Sequence, residues 1–115
     1  MSEQVIRDFV EAINDRNYSR IEELVAGSYI YHGQSHPDRV GFDAAIIQAL
    51  KPYLESTTSR FEIVKYKEDG EFSWTLTKYE GSAEDQETCL DRYKIKNNQI
   101  VEQWNGEEKS SSTLE

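Results

Sequence analysis

Apolar residues recur along this chain first with the spacing of helices and then with that of strands. Val5, Ile6, Phe9, Val10 and Ile13 form one stripe, while Glu3, Arg7, Asp8, Glu11 and Asp15 lie opposite, so the spacing predicts an amphipathic helix with Ser2 as its cap. In SRIEELV, Ser19 followed three residues later by Glu22 predicts a capping box for a short helix that turns Ile21, Leu24 and Val25 inward and ends at Gly27. SYIYH (28–32) predicts a short strand and 33–41 a loop. Phe42, Ala45, Ile46, Ala49, Leu50, Tyr53 and Leu54 mark a third helix that Pro52 should kink or restart. The period then becomes two, predicting strands at 58–68, 71–80, 87–96 and 99–105, with turns at Asp69-Gly70, around 81–85, and at Asn97-Asn98. Helices first and an antiparallel meander afterwards predict an α+β fold, with helices covering one face of a curved sheet and leaving a hollow beneath them.

One strand breaks its pattern. In CLDRYKI, Cys89, Asp91, Tyr93 and Ile95 share a face, and Asp91 puts a carboxylate among apolar neighbours. Either it looks into a pocket as a titratable group, or it accepts hydrogen bonds from backbone or a tyrosine. Its companions on the last strand depend on the Asn97-Asn98 turn. A two-residue turn sets Asp91 beside Ile100, Glu102 and Trp104; a three-residue loop with a bulge sets it beside Val101, Gln103 and Asn105. Local residue preferences allow both, because Asn tolerates the left-handed conformation.

Composition removes several classes of function. The chain has 115 residues, the size of one domain, and is read as a single domain at 1–105 with a polar tail at 106–115 that should be disordered and whose final Leu-Glu reads as a cloning scar. With 22 acidic against 13 basic residues, a formal charge of -9 repels a phosphate backbone, so no nucleic acid partner is expected. No apolar run approaches the ~20 residues of a membrane span, and the N-terminus lacks the marks of a signal peptide. With a single cysteine, the expectation is a cytoplasmic protein without disulfides or membrane contact. Seven Tyr, four Phe and two Trp supply amphipathic surface for a pocket or an interface.

His32 and His36 are four apart, but Gly33 and Pro37 put them on a strand and loop rather than a helix, so no metal site is expected. Cys89 lacks an identifiable base and reads as packing. Phe72, Trp74 and Leu76 alternate and are expected under the helices, with Trp74 a candidate pocket residue. No phosphate loop, nucleotide fingerprint or Ser/His/Asp arrangement is present.

The order of elements around YIYHGQ, KEDGEFSWTLTKYEG and CLDRYKIKNNQIVEQWN resembles the SnoaL-like polyketide cyclase branch of the nuclear transport factor 2 superfamily, which includes ketosteroid isomerase. The resemblance spans residues 3 to about 105 and rests most on the spacing from Asp91 through Ile100-Val101-Glu102 to Trp104. It implies a cone-shaped, cystatin-like fold of three helices on a strongly curved, mainly antiparallel sheet, paired as a homodimer through the sheet. It also implies that His32, Asp91, Gln103 and Asn105 face the pocket, which favours the three-residue loop.

The chain departs from these relatives in three places. Phe9 stands where ketosteroid isomerase has an oxyanion-binding tyrosine, Gln103 and Asn105 replace the family's titratable His and Asp, and Asn98 replaces a turn glycine. The resulting expectation is cofactor-free acid–base chemistry, of isomerase, cyclase, lyase or hydrolase type, on a small, mostly apolar carbonyl compound or epoxide. His32 would be the base and Asp91 the acid or hydrogen-bond donor. Phe9, Tyr29, Trp74, Cys89, Tyr93, Val101, Gln103 and Asn105 would contact the ligand. The competing expectation is a member that binds a small molecule or a protein without catalysis.

Overall fold

The computed structural model describes residues 2–33, 37–56, 58–80 and 86–106. His36, the turn at 81–85 and the tail beyond residue 106 lie outside them. Two helices open the chain and a third follows the first two strands. α1 (Ser2–Asn14) and α2 (Tyr18–Leu24) are followed by β1 (Val25–His32) and the two-residue β2 (Arg39–Val40). α3 runs as a π-wound part, Asp43–Leu50, continued by an α-helical part, Lys51–Glu55. The strands β3 (Arg60–Asp69), β4 (Phe72–Glu80), β5 (Gln86–Lys96) and β6 (Gln99–Trp104) complete a six-stranded sheet in the order β2-β1-β6-β5-β4-β3. Every strand pair is antiparallel except β1 with β6, which is parallel, and the curved sheet does not close into a barrel.

The apolar stripe of α1 packs as its periodicity requires. Ile6 and Phe9 are buried with Ile21, Leu24, Ile46, Leu54, Tyr93 and Ile100 in one core between helices and sheet. Asn14, at the last turn of α1, joins this layer to β3. Its side chain donates to the Phe61 carbonyl at 2.9 Å and accepts from the Phe61 amide at 2.8 Å, replacing a ladder contact that an edge strand lacks. Asn14→Ala orphans both backbone groups and is expected to cost about 2 kcal/mol in urea denaturation.

Several local expectations are corrected. Asn17, not Ser19, caps α2, accepting from the Arg20 amide at 3.2 Å. The helix ends at Leu24, so Gly27 lies within β1 instead of terminating a helix, and β1 begins at Val25. The stretch read as a loop contains β2, whose Arg39 pairs with Tyr31. Pro52, by contrast, marks the restart expected of it: the winding changes from π to α beside a residue with no amide to donate.

The hydrophobic alternation of β4 also points the other way. Trp74 is paired with Arg92 and Phe72 with Lys94, on the sheet face away from the helices. Arg92 lies over the rings of Trp104 at 4.2 Å, Phe72 at 4.8 Å and Trp74 at 5.5 Å. The face under the helices carries Ser73, Thr75 and Thr77, all buried, with Thr77 donating to Thr75 at 3.2 Å and Ser73 sharing a hydrogen bond with Tyr66 at 3.1 Å. Small hydroxyl side chains there leave space that Trp and Phe would fill.

The last hairpin combines features of both turn readings. Asn97 and Asn98 form a two-residue turn with φ of 55° and 61°, so Lys96 pairs with Gln99 and Ile95 with Ile100. The register then shifts: Lys94 pairs with Glu102, and Val101 is the extra residue of a bulge placed within the strand instead of at the turn. From there Tyr93 pairs with Gln103 and Arg92 with Trp104, returning Gln103 and Asn105 to the side of Asp91.

Candidate functional site

A cavity of about 390 Å³ opens between α1, α3 and the inner face of the sheet, within the range of about 300–1,000 Å³ that small-molecule sites occupy. Its walls are apolar where the helices supply them, through Phe9, Val10, Ile46 and Leu50. The sheet supplies the polar side. Tyr29 and Tyr31 alternate along β1, Cys89, Asp91 and Tyr93 along β5, and Gln103 with Asn105 follow the bulge.

Asp91 is the hub of a network. Its Oδ1 accepts from Asn105 Nδ2 at 2.8 Å and from the Gly106 amide at 3.3 Å; its Oδ2 accepts from Gln103 Nε2 at 3.3 Å and the Tyr93 hydroxyl at 3.4 Å. Tyr29 in turn donates to Gln103 Oε1 at 2.6 Å, fixing the amide's orientation. Burial pushes the Asp91 carboxyl up from 3.8 to about 6, with the four hydrogen bonds pulling against it. Burial, with the Asp91 charge adding to it, also raises the phenols of Tyr29, Tyr31 and Tyr93, keeping them protonated donors.

His32 is not part of this site. It pairs with Trp104 across β1 and β6, on the sheet face opposite Asp91, and stacks on the Trp104 ring at 5.1 Å and 12°. Its Nε2 meets Glu102 at 2.6 Å and its Nδ1 meets Asp38 at 2.8 Å. Burial pulls its pKa down, but the hydrogen bonds to Glu102 and Asp38 overcome that and raise it above 6.5. An imidazole whose two ring nitrogens both meet carboxylates has no nitrogen left to take a proton from a substrate.

Sequence reasoning thus misassigned the face of β1. Tyr31, one residue earlier, is the side chain that reaches the cavity. Trp74 lies outside with Arg92, and Val101, spent on the bulge, does not line the cavity. Phe9, Tyr29, Cys89, Tyr93, Gln103 and Asn105 do, with Phe9 edge-on to Tyr93 at 6.3 Å. Tyr31 was legible from the i, i+2 alternation with Tyr29. Arg39 and Thr77, which also line the cavity, carried no signal in the chain.

The SnoaL-like domain family matches residues 6–103. The chain belongs to that family. No curated protein matches it in sequence. Solved structures similar to this SnoaL-like chain include a candidate polyketide cyclase from Sinorhizobium meliloti, 14% identical with a TM-score of 0.79 over 89% of this chain and 93% of that one. A candidate ketosteroid isomerase from Kribbella flavida is 10% identical, with a TM-score of 0.74 over 89% and 73%. A protein of ketosteroid isomerase-like fold from Catenulispora acidiphila, in complex with trimethylamine, is 14% identical, with a TM-score of 0.71 over 96% and 88%. At these identities the likeness establishes the fold alone. Among the described residues no group of three or more His, Cys, Asp or Glu side chains could hold a metal ion, and no helix is long and apolar enough to cross a membrane.

Proposed function

We propose that this SnoaL-like protein is a cofactor-independent acid–base enzyme in which Asp91 moves a proton on a small, mostly apolar carbonyl compound. The observation that carries the reading is a lone carboxyl lining an apolar cavity and poised by burial at about pH 6. At neutral pH it is largely ionised yet close enough to its pKa to give a proton back, the condition under which one group serves as base and then acid. In the step, the C–H bond next to the carbonyl breaks, its proton passes to Asp91 Oδ2, and the electron pair moves onto the carbonyl oxygen as an enolate. Where a C=C lies beyond that C–H bond, the enolate is a dienolate, and return of the proton to its far carbon completes an isomerisation. Oδ2 is the favoured oxygen because both its hydrogen bonds are long, at 3.3 and 3.4 Å, whereas Oδ1 holds the short one at 2.8 Å. The half-buried, protonated phenol of Tyr31 supplies a donor for the enolate oxygen.

A second reading, ligand binding without catalysis, is favoured by the four donors that already occupy the Asp91 oxygens. Hydrogen–deuterium exchange at carbon separates the two. Small ketones and keto acids incubated with the protein in D2O should gain deuterium faster than in buffer, as read by NMR; binding without exchange supports the second reading. For partners, the proposal is a homodimer that covers Trp104, Phe72 and Arg92 on the outer sheet face, and sedimentation velocity of wild type and Trp104→Glu checks it.

A further inference from the structure

We infer that Arg39 anchors the anionic end of the ligand, so that the molecule this cavity takes is a small apolar carboxylate. Where the proposed chemistry also holds, the substrate is a keto acid, and that identification rests on the Asp91 reading. Arg39 sits on β2 directly opposite Tyr31, on the sheet face that looks into the cavity, and it lines that cavity. Among the described lining residues it is the one cation, facing a wall that is otherwise apolar or neutral apart from Asp91.

Its surroundings differ from those of three other arginines. Arg7 and Arg20 hold carboxylates, and Arg16 donates to backbone carbonyls. Arg39 has no ion pair or side-chain hydrogen bond among the described residues, and its Nε is closed off from solvent without an acceptor. A shielded guanidinium N–H without an acceptor is unfavourable, because the group has left water and gained nothing. In a chain of formal charge -9, acidic partners are plentiful, yet among the described residues none forms an ion pair with Arg39.

A carboxylate in the cavity gives the terminal nitrogens of this guanidinium, which are not shut off as Nε is, the anionic partner that the described residues do not supply. The planar fork of a guanidinium matches two carboxylate oxygens, and the match is stronger away from water than at an exposed site. The apolar part of such a ligand would run along Ile46, Ala49 and Leu50 on α3. Arg39 disfavours an amine at its own end of the cavity, while the ionised Asp91 favours one, so the neutral amide is the reference for the anchor.

The test is isothermal titration at pH 7.5 with 3-phenylpropanoate, its primary amide and 3-phenylpropylamine, using the full chain. The acid should bind at least about tenfold tighter than the amide, and more tightly than the amine. Arg39→Gln should abolish the preference, and Arg39→Lys, which keeps the charge without the fork, should retain part of it; circular dichroism confirms that both variants are folded. Equal binding of acid and amide, no binding of the acid, or a preference unchanged in Arg39→Gln would each overturn the inference. Titrating Asp91→Asn separates this claim from the chemistry. A preference for acids in a protein that exchanges no C–H protons leaves the anchor standing and removes the enzyme, whereas exchange without that preference does the reverse.

Discussion

Asp91→Asn should lower kcat/KM for carbon-proton exchange by about 10²–10⁴-fold, the range that a positioned general acid–base contributes. Asn matches the shape of the carboxyl and keeps one acceptor for Asn105 and the Gly106 amide, but it cannot take up a proton at neutral pH. The wild type supplies a check that needs no variant. Its kcat/KM should rise with pH through about 6, where the buried carboxyl loses its proton, and then level off. A profile flat between pH 5 and 7, or full exchange in a folded Asp91→Asn protein, would show that another group moves the proton.

The same carboxyl should make the protein lose stability as pH rises, by about 3 kcal/mol. The native state holds the Asp91 proton up to about pH 6, whereas the unfolded chain releases it near 3.8. Between those values the native state binds more protons, so the free energy of unfolding falls as pH climbs through the window, at about 1.4 kcal/mol per pH unit for one group. Most structural carboxylates act in the opposite sense, because pairing lowers their pKa. His32 adds to the trend: its pKa is raised in the native state, so its contribution is complete below 6.5 and is lost as pH rises through the raised value. Urea denaturation at pH 3.5, 5 and 7.5 reads the slope. In Asp91→Asn most of it should disappear, and a wild type that gains stability toward pH 7.5 would contradict the assignment.

The fold was legible from the chain because its elements announce themselves by period. The stripe of α1 and the two-residue alternation of β5 each required one buried face, and the structure buries it. Asp91 stood out for the same reason, as a charge on a face its neighbours had already claimed. What failed was the assumption that the more hydrophobic face of every strand points under the helices. In β4 the aromatic side chains pack outward around Arg92, while Ser73, Thr75 and Thr77 line the hollow. A cavity needs small side chains on its floor, and hydropathy cannot tell an emptied interior from an exposed exterior. His32 was misplaced by a shift of one residue along β1, which exchanges faces and so put Tyr31 in its place. Arg39 could not be found at all, since a basic residue in a two-residue strand has no periodic context.

The extra residue at Val101 lets one short strand serve two environments. Ile100 and Gln103 are three apart, an odd spacing that would separate them in regular pairing, yet both turn inward. The offset divides β6 into a greasy half that seals the hairpin against α2 and a hydrophilic half that furnishes the ligand chamber. Redesign of positions 103 and 105 can therefore proceed as a cassette, leaving the seam around Ile100 as it is.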